Sequence, residues 1–190
     1  MLTPDQAQEL LKEAEPVCSA SAVVQAVRRV ATEISDALAA LNPLVLTVMG
    51  GAVIFAGQLL PLLRFPLTMD YLHVTRYGRA LSGGSLEWKV FPAEPLAGRV
   101  VLVLDDILDE GHTMVEIRRR ILGAGARQFY AAVLADKDTG KMKPITADFV
   151  GISVPDRYVF GFGMDVKGAW RNLPAIYALN ADSRIPDPEA

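Results

Sequence analysis

The sequence predicts an α/β fold: a mostly parallel, twisted sheet flanked by helices. Three observations carry that expectation. Apolar, strand-length runs alternate with helix-length segments, the pattern of consecutive strand–helix units. The runs at 44–49 (LVLTVM) and 100–104 (VVLVL) are apolar without a break, as strands buried on both faces must be. The 190 residues are 51% hydrophobic and 22% charged, with 15 Gly and 12 Pro, which is globular composition and excludes a disordered, fibrous or repeat-built chain.

The elements follow in order. Thr3-Pro4-Asp5-Gln6 starts a helix over about 3–15, with Thr as N-cap, Pro at the first helical position and Gln at the third. Ser19 opens a second helix that runs to about Leu41 and stops at Asn42-Pro43. Strand 44–49, the turn Gly50-Gly51 and a helix over 52–63 come next. Together they form a run of 20 uncharged residues, long enough to span a membrane. Three glycines and a proline inside it favour strand, turn and helix instead. A strand at 68–77 (TMDYLHVTRY) leads to a flexible tip at 81–85, and LEWKVF (86–91) runs back as a second arm. Strand 100–104, a loop and a helix over 113–123 follow, the helix ending at Gly123-Ala124-Gly125-Ala126. Two more strands fall at 129–136 and 148–154, and the tail from Pro155 is rich in Gly, Pro and aromatics. The expectation is one domain with its core at about 44–165, N-terminal helices within 3–41, and a tail at about 155–190.

Net charge is −3 and the isoelectric point about 5.4. Arg118-Arg119-Arg120 reads as a solvated helix face, so no nucleic-acid partner is expected. The single cysteine, Cys18, excludes an internal disulfide, fits a reducing compartment, and reads as a packing residue. His73 and His112 are too far apart in sequence to make a metal-spaced pair. The acidic, helical N-terminus is no signal peptide. A cytoplasmic protein without a membrane span is expected.

Ligands of open α/β sheets sit outside the carboxyl ends of the strands. Three loops qualify: 50–52, 105–113 and 136–143. The richest stretch is VLVLDDILDEGHTM (101–114), with four carboxylates in six residues at the end of a buried strand. Glu110-Gly111-His112-Thr113 runs into a helix, whose N-terminus offers unpaired N–H groups and partial positive charge; Gly111 allows close backbone approach and Thr113 adds a hydroxyl. That is a phosphate site without a lysine. Asp105 and Asp106 would then lie where a sugar sits, and carboxylates accept well from vicinal hydroxyls. Asp109, between sugar and phosphate sites, could take a proton from an incoming group. The alternatives are a DxxD metal or ion-pair site, or plain caps for the helix. The order strand, paired acids, spacer, acid, Gly and Thr is much more specific than either, and favours a phosphoribosyl site.

VLVLDDILDEGHT resembles the phosphoribosyl pyrophosphate (PRPP) signature of the type I phosphoribosyltransferases. The likeness spans about 44–173. LADK (134–137), VGISVPDRYVFGFGMD (150–165) and WRNL (170–173) are similar to the hypoxanthine-guanine branch. The resemblance implies the type I phosphoribosyltransferase fold, with a small hood from the C-terminal tail and N-terminal segment and a flexible hairpin lid. It implies Asp105 and Asp106 on the ribose hydroxyls, Asp109 as general base at the purine N7, and Glu110, Gly111, His112 and Thr113 on the 5-phosphate. It implies Lys137 at the exocyclic oxygen of a 6-oxopurine, Tyr158 stacked on the base and Val159 meeting it through its backbone. Asp165 would hold Mg²⁺, Arg171 and the Gly50-Gly51 turn would bind pyrophosphate, and Arg76-Tyr77 would belong to the lid. Taken singly, Lys137 could be a surface lysine, Tyr158 a core residue, Asp165 a turn cap and Arg171 a solvated charge. The implied reaction is purine salvage: PRPP plus hypoxanthine or guanine gives IMP or GMP plus pyrophosphate, in a homodimer or homotetramer.

Three departures stand out. Relatives usually carry Lys or Arg where Gly50 stands. Arg76 takes the place of a serine, and could partly restore that charge. Glu110 replaces a small hydroxyl residue. Two other readings stay open: a type I transferase for another base, xanthine above all, and a regulator that binds PRPP without catalysis.

Overall fold

The computed structural model of the chain describes residues 2–76 and 86–180, with the side chain of Arg76 left out. The expectations for that side chain, for Tyr77 and for the tip at 81–85 lie outside the described residues.

Six strands form the main sheet: β2 (Leu44–Met49), β3 (Thr68–Arg76), β4 (Leu86–Val90), β5 (Val100–Leu108), β6 (Gln128–Asp138) and β7 (Phe149–Pro155). Their order is β4-β3-β2-β5-β6-β7. Only β4 runs antiparallel, as the return arm of the hairpin from β3. Because side chains alternate along a strand, β5 sends Leu102 and Leu104 to one face and Val101 and Val103 to the other. The first face is covered by α2 (Ala20–Leu38) and α3 (Val53–Leu59), through Val27, Ile34, Phe55 and Leu59. The second is covered by α4 (His112–Gly123), through Met114, Ile117 and Ile121. These side chains are essentially inaccessible, each contributing on the order of 2 kcal/mol of hydrophobic stabilisation.

The run 44–63 is strand, turn and helix, as its glycines suggest; α3 ends early, in a 3₁₀ turn over Leu60–Leu62 that contains Pro61. Among the described residues no helix is long and apolar enough to cross a membrane.

The N-terminal helix α1 (Pro4–Glu13) carries the expected capping box: the Gln6 N–H donates to Thr3 Oγ1 and the Thr3 N–H to Gln6 Oε1. The Ser19 hydroxyl caps α2 by accepting from the Ala22 N–H. Between the two helices lies β1 (Glu15–Cys18). It pairs antiparallel with β9 (Ile176–Ala178), which pairs in turn with β8 (Val159–Phe160). This small sheet is the hood. Leu10 of α1, Phe160, Val166 and Leu179 make its own core, and the Trp170 indole N–H donates to the carbonyl of Ala7 at 2.7 Å.

Two further boundaries differ from expectation, and both matter to the site. β5 runs to Leu108, so Asp105 and Asp106 stand on the strand instead of on a loop. β6 runs to Asp138 and carries Lys137 with it. The cause is mutual: the parallel ladder pairs Asp105 with Val133, Ile107 with Ala135 and Leu108 with Asp136, so pairing holds the backbone extended past residues poor in strand propensity.

Candidate functional site

The carboxyl ends of β2, β3 and β5 and the start of α4 surround a cleft of about 520 Å³. Gly50, Gly51, Asp105, Asp106, Asp109, Glu110, Gly111, Thr113, Asp165 and Arg171 all line it. A second hollow, of about 240 Å³, lies under the hood and shares Asp106, Ile107, Asp109 and Asp165 with the first; Lys137, Tyr158, Val159 and Met164 complete its lining. All the described candidates except His112, from six separate stretches of sequence, thus converge on two adjoining spaces.

The floor is built from backbone and carboxylates. The Asp106 N–H donates to Asp105 Oδ1 and the Ile107 N–H to Asp106 Oδ1, fixing both carboxyl groups on the strand. Burial first, and the charge of Asp106 second, hold the Asp105 carboxyl well above the usual carboxylate range. Burial also raises Asp106, against opposing hydrogen bonds and the nearby Arg171 guanidinium. Gly51 packs directly against the Asp106 carboxylate, where a Cβ would overlap it. Gly163 packs in the same way against the Gly51 carbonyl. A Cβ on Gly50 would meet nothing within 4 Å. At the far end Gly111 is the N-cap of α4, with φ of 84°, a left-handed conformation that suits glycine.

One wall carries the charged pairs. Lys137 Nζ donates to Asp109 Oδ2 at 2.8 Å, and the lysine side chain is only 13% exposed. Arg171 pairs with Asp165 at 2.5 Å and donates to the Gly163 carbonyl. Asp165 also accepts from the Gly168 N–H at 2.6 Å. The Tyr158 hydroxyl donates to the Asp165 carbonyl, and burial followed by the Asp165 charge raises its pKa, so the phenol stays protonated at neutral pH. Lys137 is therefore no surface lysine, and Tyr158 no core residue: its ring is exposed.

The donors along the cleft are hard carboxylate oxygens, the kind Mg²⁺ selects, and Mg²⁺ characteristically takes one or two carboxylates with substrate phosphates completing its shell. Among the described residues no three His, Cys, Asp or Glu side chains group as an all-protein cage. The residues fit a metal brought to Asp165 with a phosphorylated substrate.

The phosphoribosyl transferase domain family matches residues 15–167. The chain belongs to the phosphoribosyltransferase family. Its relatives include the hypoxanthine-guanine-xanthine phosphoribosyltransferase of Tritrichomonas foetus, 34% identical over 154 residues, covering 80% of this chain and 84% of that protein. The hypoxanthine-guanine phosphoribosyltransferase of Streptococcus pneumoniae is 29% identical over 161 residues, 84% of this chain and 89% of that one. A solved hypoxanthine-guanine-xanthine phosphoribosyltransferase superposes with a TM-score of 0.80 at 31% identity, covering 88% of this chain and 98% of its own. The phosphoribosyltransferase fold expected from the sequence is therefore the fold observed.

One candidate of this phosphoribosyltransferase falls elsewhere. The exposed His112 lines an adjoining hollow of about 190 Å³, with Lys141 and Met142, that shares Asp109 and Glu110 with the main cleft, and it does not line the main cleft itself. Residues that sequence reasoning missed are His73 and Thr75, which line the main cleft from β3, and Lys143, considered below. Alternation along the strand at 68–77 could have flagged His73 and Thr75 as sharing one face; no motif points to Lys143.

Proposed function

We propose that the chain transfers the 5-phosphoribosyl group of PRPP to hypoxanthine or guanine, giving IMP or GMP and pyrophosphate, in cytoplasmic purine salvage. The observation that carries this reading is the Asp109–Lys137 pair, which stands where the phosphoribosyl cleft meets the hollow under the hood. A base seated there presents its exocyclic oxygen to an ammonium donor and a ring N–H to a carboxylate. A 6-oxopurine matches both, whereas adenine offers an amino group to the ammonium.

In this reading the N-terminus of α4, with Glu110, Gly111, His112 and Thr113, binds the 5-phosphate, the main-chain N–H of His112 serving although its ring lies outside the cleft. Asp105 and Asp106 accept from the ribose hydroxyls. Gly50-Gly51 and Arg171 hold the pyrophosphate. Tyr158 stacks on the base and the Val159 backbone meets its edge. As the C1–pyrophosphate bond breaks and the bond to purine N9 forms, Asp109 takes the N7 proton, a step worth roughly 10²–10⁴ in rate. Asp165 would hold Mg²⁺, which when bound would supply charge neutralisation for the departing pyrophosphate. A homodimer or homotetramer is the assembly proposed.

Xanthine is the second reading, favoured by the hypoxanthine-guanine-xanthine relative at 34% identity. A steady-state assay with PRPP and Mg²⁺, offering hypoxanthine, guanine, xanthine and adenine separately, tests both. Turnover of hypoxanthine or guanine with little of adenine is expected. Bound PRPP with no turnover of any base would point to a regulator instead.

A further inference from the structure

The loop after β6 returns to the ends of β5 and β6. Lys143, on that loop, is nearly buried, with its side chain 11% exposed. Its ammonium donates to the Leu108 carbonyl at 2.7 Å and to the Asp136 carboxylate at 2.5 Å. Leu108 directly precedes Asp109, and Asp136 directly precedes Lys137. Leu108 and Asp136 are also partners in the β5–β6 ladder. One ammonium thus ties the last paired positions of two strands, and the next residue of each strand contributes one half of the Asp109–Lys137 pair. The same loop supports the turn further on: a Cβ on Gly111 would lie 3.2 Å from Ile145 and 3.4 Å from Pro144.

We propose that Lys143 is a positioning residue that sets the separation of Asp109 and Lys137. The physical case is one of register and alternation. Successive side chains on a strand point to opposite faces, so Asp136 turns toward Lys143 while Lys137 turns toward the base. Past Leu108 the β5 ladder ends and the backbone carrying Asp109 has freedom to fray, whereas Lys137 stays paired with Val154 of β7; a buried, doubly bonded ammonium ties the loose end to the held one. Taking that ammonium away strands a carboxylate and a carbonyl, and the ends part. The Asp109–Lys137 contact of 2.8 Å then loses its fixed geometry. A misplacement of about 1 Å can cost roughly a hundredfold in rate.

The inference rests on the transferase reading above, so its test includes one readout in the free protein. Lys143→Met is compared with wild type for kcat and KM toward each substrate, for the pH profile of kcat/KM, and for the acylation rate of the Lys137 amine, read by mass spectrometry. Lys143→Cys in a Cys18→Ser background, aminoethylated to restore an ammonium at the same reach, is the rescue. The expected result is a drop of about a hundredfold in kcat/KM for the base, a displaced acid limb, faster acylation of Lys137, and recovery of all three on aminoethylation. Should Lys143→Met not fold, Lys143→Arg carries the same comparison. An unchanged pH profile with Lys137 no more reactive, or aminoethylation that restores nothing, overturns the proposal. If wild type turns over no base, the transferase reading fails, and the acylation rate alone decides the role of Lys143.

Discussion

The α-carbon of Gly51 lies against the carboxylate of Asp106, with no room for a side chain between them. Two segments 55 positions apart in sequence are locked together there. Gly51→Ala should therefore push the acid off its place and raise the KM for PRPP or lower kcat, about a hundredfold in kcat/KM. The KM for the base should change little. Steady-state kinetics on both substrates would show whether the loss falls on the PRPP side.

Gly50 predicts the opposite sign. Its α-carbon faces open space, so Gly50→Lys fits without displacing anything and adds a cation to a cleft rich in carboxylates. A lower KM for PRPP is expected, with the gain shrinking as salt rises. Arg76→Ser, measured alongside, should raise the PRPP KM if Arg76 substitutes for the missing charge.

Asp109→Asn should lower kcat by about 10²–10⁴ while leaving PRPP affinity within a few-fold. Lys137→Ala should act differently: it removes the donor to the exocyclic oxygen, so the preference for hypoxanthine over adenine should narrow. Competition between the two bases in one reaction reads this directly.

The paired acids give a pH-dependent stability prediction. Burial raises the carboxyl of Asp105 above its unfolded value, so the folded state favours the protonated form. The stabilisation from this group is complete below the unfolded pKa and is lost as pH rises through the raised folded one. Above that window the buried charge is a cost, of roughly 1.4 kcal/mol per unit of elevation. Asp105→Asn should thus raise Tm at pH 8 by more than at pH 4, while lowering activity. Melting curves across that range test the sign.

Chelation should separate chemistry from folding. Among the described residues no all-protein metal cage exists, so EDTA is expected to abolish turnover and to leave Tm unchanged. Asp165→Asn should raise the Mg²⁺ concentration needed for half-maximal rate.

Much of this was legible in the residues. The stretch 101–114 announces the phosphoribosyl half because its chemistry is local: strand, acids, glycine and helix start are contiguous. The caps at Thr3 and Ser19 are local too. What escaped was set at a distance. β1, β8 and β9 are two to four residues long, too short for any periodicity, and exist only through one another. β5 continues past two acids because β6 is beside it, against their own propensity. Lys143 has no motif; its role comes from where a loop returns.

The hood has a consequence for how the protein is made. β1 leaves the ribosome long before β9, yet they pair, and the Trp170–Ala7 hydrogen bond bridges 163 positions. Contacts so remote must wait for everything between them, and closing so long a loop is slow compared with joining neighbouring strands. The cleft-lining residues from Val48 to Met114 are all made long before β9, although β5 keeps its full length only once β6 is beside it. A chain halted before Tyr158 would therefore carry the acidic strand end and the start of α4, with neither the Tyr158–Val159 wall of the second hollow nor the Asp165–Arg171 pair.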